Sequence, residues 1–127
     1  MNRALAKELK TAGFPIGAYR AGHKFYPPEQ GGEWSDAARH HGVTLNRHDL
    51  EDRMTEIGAG YYCPNLSDLI DACGHHFARL FVVTAIWTAE SDDPRLAALG
   101  DSPEQAVARL WLALHTSKTA ATHPPAA

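Results

Sequence analysis

The sequence predicts an α+β fold: a small antiparallel sheet with two helices on one face, in the order α-β-β-(β)-α, preceded by a helix and a loop-rich segment. Three observations predict it. Ser102-Pro103-Glu104-Gln105 is a helix start, with a hydroxyl to accept an orphan N–H, a proline where no N–H is missed, and a glutamine three residues on. Behind it Val107, Leu110, Trp111 and Leu114 recur at i, i+3, i+4, i+7, and Leu66, Leu69, Ile70 and Cys73 repeat that spacing upstream. Between the two stripes, Phe77–Thr84 is a β-branched and aromatic run of strand length. Two amphipathic helices need an apolar surface to lie on, and this run supplies it.

Taken in order, residues 2–12 form a helix with Leu5, Leu9 and Ala12 on one side, closed by Gly13 and Pro15. From Phe14 to Trp34 the chain is rich in Gly, Pro and aromatics, with Pro27-Pro28 and Gly31-Gly32 as breakers and short strands at Ile16–Arg20 or His23–Tyr26. Phe25, Tyr26 and Trp34 there read as a satellite core, with a partner-contact surface as the alternative. Ser35 or Asp36 starts a short helix to His41, ended by Gly42, and Asn46 or Asp49 starts another to about Ile57. Gly58 and Gly60 break it, Tyr61-Tyr62-Cys63 is extended, and Asn65 caps the helix Leu66–Cys73, which Gly74 closes. Ala85–Glu90 is a partner strand for Phe77–Thr84, Ser91-Asp-Asp-Pro94 a turn, and Arg95–Leu99 a short edge strand. The whole is expected to be one domain over residues 1–116, its core in 61–116, followed by a polar Pro/Ala-rich tail, 117–127, without order.

Composition narrows the function classes. At 127 residues the chain is long enough for a hydrophobic core, and its 44% hydrophobic and 21% charged residues are those of a globular protein. No apolar run reaches the ~18–20 residues that cross a bilayer, and no secretory h-region follows the N-terminus, so a cytoplasmic setting with free thiols is expected. Net charge is −3, unevenly spread: residues 1–24 carry five basic groups against Glu8, the rest seven basic against fourteen acidic. An acidic body argues against broad phosphate-backbone binding, so nucleic acid is not the expected partner.

The words Cys63-Pro-Asn-Leu-Ser-Asp-Leu-Ile-Asp-Ala-Cys-Gly74 and Asp101-Ser-Pro-Glu-Gln-Ala-Val-Ala-Arg-Leu-Trp-Leu-Ala-Leu114 resemble those of a group of small phage and prophage proteins. That group carries a proline-led LSELIEACG-like helix and a C-terminal TPEEAVARLWLAL-like helix. The resemblance covers the last fifty or so ordered residues, with an echo in Leu5–Pro15. It implies a bacterial or phage-infected host cell, and it transfers no catalytic residue, because the shared words are caps and core positions. The α-β-β-β-α order is also similar to double-stranded-RNA-binding and HicB-like domains, but the basic cluster of an RNA reader is missing.

Eight histidines are many for this length, and His40-His41 and His75-His76 stand as pairs. With Cys63 and Cys73 they offer enough nitrogen and sulfur ligands for a tetrahedral zinc site, yet the chain has no CxxC, and core cysteines with solvated histidines explain them as well. A Cys–His nucleophilic pair would favour Cys63, which precedes a helix N-terminus, over Cys73 at a C-terminus. Asp49, Glu51, Asp52 and Glu56 read as a solvated helix face. With no convergent reactive set, the expectation is a non-enzymatic phage-type accessory protein without a cofactor. It would bind another protein or itself, and an inhibitor of a host system fits that description. Phe25, Tyr26, Trp34 and Trp87 are the contact candidates, and a small zinc-binding or Cys/His enzyme is the rival from another class.

Overall fold

The computed structural model describes residues 1–16, 19–28 and 34–122, with backbone alone at 54–56 and 117–122. It is α+β, with two three-stranded antiparallel sheets, and the chain forms two compact units, one spanning Met1–Asn65 and one beginning at Leu66.

The first unit opens with α1 (Arg3–Thr11), capped by Asn2, whose side-chain oxygen accepts from Leu5 N at 2.9 Å. Gly13 ends it at φ 83°, and Phe14 N donates back to Leu9 O at 2.9 Å, satisfying a last-turn carbonyl. The sheet runs β2 (Val43–Thr44), β1 (Lys24–Tyr26), β3 (Tyr61–Cys63), with Phe25 opposite Val43 on one side and Tyr62 on the other. Part of the expected strand Ile16–Arg20 lies outside the described residues. Helix α2 (Asp36–His41) starts at Ser35, whose Oγ accepts from Ala38 N, and ends at Gly42. The single helix expected from Asn46 to Ile57 is instead two, α3 (Arg47–Asp52) and α4 (Met54–Ala59). Asn46 and Asp49 form a reciprocal capping box at its start, but Arg53 leaves helical geometry (φ −127°, ψ 23°), and its guanidinium sits 4.2 Å from the centre of the Trp34 ring. Tertiary stacking overrides the local periodicity there. Phe25, Trp34, Leu45 and Ile57 form this unit's core, with Tyr19, Ala38, Val43 and Leu50 against it.

The second unit follows the predicted order. Helix α5 (Leu66–Cys73) passes through a 3₁₀ turn, Gly74–His76, into β4 (Phe77–Val83); β5 (Ile86–Ser91), β6 (Ala97–Gly100) and α6 (Pro103–Thr122) complete it. The sheet is β4-β5-β6, α6 lies on β5 and β6, and α5 packs on α6. Ser102 Oγ accepts from Gln105 N at 3.1 Å, while Gln105 Oε1 accepts from Asp101 N at 2.6 Å, so the predicted start signal works from both sides. The α6 stripe buries Val107, Leu110 and Trp111, and α5 buries Leu69 and Cys73. Helix α6 continues past His115 to Thr122, where the composition suggested that the chain would leave the helix. No Gly or Pro interrupts the run before Pro124, and Lys118, Ala120 and Ala121 favour the helix against the weaker Ser and Thr among them.

Pairing partners share a face of the sheet, so β5 divides cleanly. Trp87, Ala89 and Ser91 alternate on the covered face, where Ala89 and Ser91 are buried and Trp87 is half-buried. Thr88, opposite Phe81 and Leu99, belongs to the outer face, as do the pairs Val83–Ile86 and Arg79–Glu90.

Candidate functional site

Two surfaces of the second unit carry chemistry that the fold does not consume. One is the outer face of its sheet. Val83, Leu99 and Ile86 are 61%, 57% and 42% exposed there, around a half-buried Phe81. The charges on it are self-contained: Arg79 Nη2 lies 2.9 Å from Glu90 Oε1, and the same guanidinium covers the Phe81 ring at 4.9 Å. Beside this face the two-residue loop Thr84-Ala85 holds both residues at positive φ, 50° and 64°. That is the geometry a tight hairpin demands, met here without the usual Asn-Gly.

The other surface is a groove of about 720 Å³. Ala72, Cys73 and His76 line it from the end of α5, where Gly74 at φ 61° turns the chain so that the 3₁₀ turn carries His76 to the rim. The β5–β6 turn supplies Asp92, Asp93, Pro94 and Leu96. This turn is tied from inside: buried Ser91 Oγ accepts from Asp93 N at 3.0 Å and lies 2.8 Å from Leu96 O and 2.9 Å from Asp93 O, the carbonyls between which its hydroxyl hydrogen is placed. Helix α6 contributes Trp111, Leu114 and His115; four residues apart, Trp111 and His115 stack with ring centres 5.0 Å apart and planes 11° from parallel.

His76 Nδ1 lies 3.3 Å from both oxygens of Asp92, and Asp92 N donates to His76 O at 2.9 Å, so backbone and side chain both hold the pair. Arg95 bonds both oxygens of the neighbouring Asp93 and holds that carboxyl below its ordinary range, mainly through the side-chain hydrogen bond. Burial pushes the Cys73 thiol up to about 11, which keeps it protonated near neutral pH and makes it a poor nucleophile.

The other sequence candidates fall in separate places. Phe25, Tyr26 and Trp34 are buried, and Phe25 and Trp34, edge-on at 5.2 Å, belong to the first unit's core. Trp87 takes the covered face of the second sheet by register. His40 and His41 lie edge-to-face at 5.3 Å on α2, and Cys63 Sγ lies 3.8 Å from Met1 Sδ, both within the first unit. His75 and His76 sit ring to ring at 4.0 Å, but His76 takes Asp92 as partner. Among the described residues no three His, Cys, Asp or Glu side chains are placed to hold a metal ion. The carboxylates of α3 are spent locally: Glu51 on Arg47 at 3.2 Å, Asp52 on His48 at 3.1 Å, Asp49 in the cap.

The sequence reading placed Cys73 with His75 across the helix end, counted His76 only among the six metal candidates, and missed Asp92, Trp111 and His115. Only the α6 pair carried a signal in the sequence, and Asp92 is set by register. A two-residue hairpin loop at 84–85 sets residue 83 against 86, and counting back through the bulge between Phe77 and Arg79 brings 76 to 92. Trp111 and His115 are helical neighbours at i, i+4. Searched against family models, curated proteins and solved structures, the chain matches none of them.

Proposed function

We propose that this chain is a non-enzymatic, phage- or prophage-type accessory protein that works in the bacterial cytoplasm by binding another protein, and that it does so through the outer face of the β4-β5-β6 sheet. The observation that carries the reading is the apolar cluster Val83, Ile86 and Leu99 left exposed on one face, beside a hairpin whose loop is strained. Exposed contiguous apolar surface has a free-energy cost in water that burial against a partner removes. Backbone strain of this kind is typically retained where it positions a contact. Strand β4 adds an outer edge that pairs with no strand among the described residues and carries a single charge, Arg79, so a partner's extended segment has a template for main-chain pairing. The phage setting rests on the Cys63–Gly74 and Asp101–Leu114 words.

Charge speaks against nucleic acid: Arg79 on this face is already paired with Glu90, and in the first unit Lys10 is engaged by the carbonyls of Gly58 and Gly60 at 3.2 and 2.9 Å. No helix among the described residues is long and apolar enough to cross a membrane. A photo-crosslinking amino acid placed at Val83 or Leu99 in the full chain, expressed in a bacterial host, tests the proposal. Adducts to one protein from both positions, and none from exposed Ala37 on α2, are expected; mass spectrometry then tells a host protein from a second copy. Equal labelling from Ala37, or no adduct from either sheet position, would overturn it.

A further inference from the structure

We propose that the groove between the end of α5, the β5–β6 turn and α6 binds a small organic cation, a protonated amine carried on a flat apolar body. This site is separate from the outer sheet face, and its argument is independent of the protein-binding reading.

The walls select the body. A volume of about 720 Å³ suits a small molecule, and the indole of Trp111 with Leu96 and Pro94 gives it apolar sides. The Trp111–His115 stack adds a π surface, which attracts cations and planar rings alike. The polar groups select the charge. His76 Nδ1 faces both oxygens of Asp92 at 3.3 Å, and in the Nδ1–H tautomer, with Asp92 accepting that hydrogen, Nε2 is a hydrogen-bond acceptor. Asp92 itself is half-exposed, and an imidazole is its side-chain partner, so it retains acceptor capacity for a ligand. Among the described residues no Lys or Arg lines the groove, and Arg95 is turned onto Asp93. A carboxylate or phosphate would therefore meet the Asp92 carboxylate, whereas an ammonium group brings charged donors to it. A coordinated metal ion is a poorer fit, since no three ligating side chains converge among the described residues.

The test uses three probes of one shape and different charge: tryptamine, tryptophol and indole-3-acetate, titrated into the ¹⁵N-labelled full chain and followed by amide and indole NMR shifts. Tryptamine is expected to give saturable shifts at His76, Asp92 and the Trp111 indole. Tryptophol should bind about ten-fold more weakly for want of the charge-assisted bond, and indole-3-acetate more weakly still. Asp92→Asn should bring tryptamine down to the tryptophol level while leaving tryptophol binding unchanged. Equal binding of the three probes by the wild-type chain would overturn the proposal without reliance on any variant. So would shifts that map away from these three elements, or no saturable shift with tryptamine.

Discussion

Burial of Cys73 raises its thiol from an ordinary 9.0 to about 11, and that shift has a sign. The folded state favours the neutral form, so this contribution to stability is complete below pH 9 and is lost as pH rises through about 11. Melting temperature should therefore fall over that window, and Cys73→Ala should flatten the fall; an unchanged slope in the variant would remove Cys73 as its cause. A thiol-exchange reagent at neutral pH should leave Cys73 unmodified in the folded protein. Asp93 runs the other way. Its carboxyl is held below 3.8 by Arg95, so what the pair contributes is present above the ordinary carboxylate range and lost in acid. Arg95→Gln should return the Asp93 value toward 3.8, read by carboxyl NMR titration, with little change in melting temperature because the pair is solvent-exposed. Two glycines are set by close approach. A Cβ at Gly60 would lie 2.3 Å from the Phe25 ring and 2.5 Å from Tyr26 O, and one at Gly100 would lie 2.6 Å from Ala106 N. Neither clash is with the free end of a flexible chain, so each Gly→Ala substitution should cost about 2 kcal/mol or more by denaturant unfolding.

At the scale of elements, most starts and stops were legible because they are local. Asn2, Ser35, Asn46 and Ser102 each accept a bond from a backbone N–H three residues on, and Gly13, Gly42 and Gly74 take the positive φ that ends a helix. The break at Arg53 was not legible, because the Trp34 ring that holds its guanidinium is nineteen positions away. The turn type of the hairpin was not legible either: the strands divide at Thr84-Ala85 as expected, but neither residue signals the positive φ that both adopt. Positive φ costs an L-residue ~1–2 kcal/mol, so replacing Thr84-Ala85 by Asn-Gly should raise stability by roughly 1 kcal/mol or more. If the double replacement lowers the unfolding midpoint instead, the loop is not strained, and one support of the protein-binding reading falls.

Across the whole chain, each unit has its own sheet and its own buried residues, and this gives the two glycine variants a second use. Native-state hydrogen exchange should show Gly60→Ala lowering protection mainly within residues 1–65, and Gly100→Ala mainly from 66 onward. The single domain over 1–116 expected from length predicts parallel losses in both, so the experiment decides between them. Val83→Lys with Leu99→Lys should leave stability within about 1 kcal/mol, since both side chains stand in water, while removing the crosslinks described above. By itself the sequence determined the α+β class, the α-β-β-β-α order of the second unit and the apolar stripes of α5 and α6, because caps, glycines and periodicity act over a few residues. Tertiary structure decided which aromatics are core and which apolar side chains stay exposed: Phe25 and Trp34 went inside, Val83 and Leu99 outside. It also decided that His76 meets Asp92 beside Trp111 and His115 rather than sharing a metal with Cys73. Such contacts join residues far apart in the chain, and strand register and helix packing, which no short word encodes, select them.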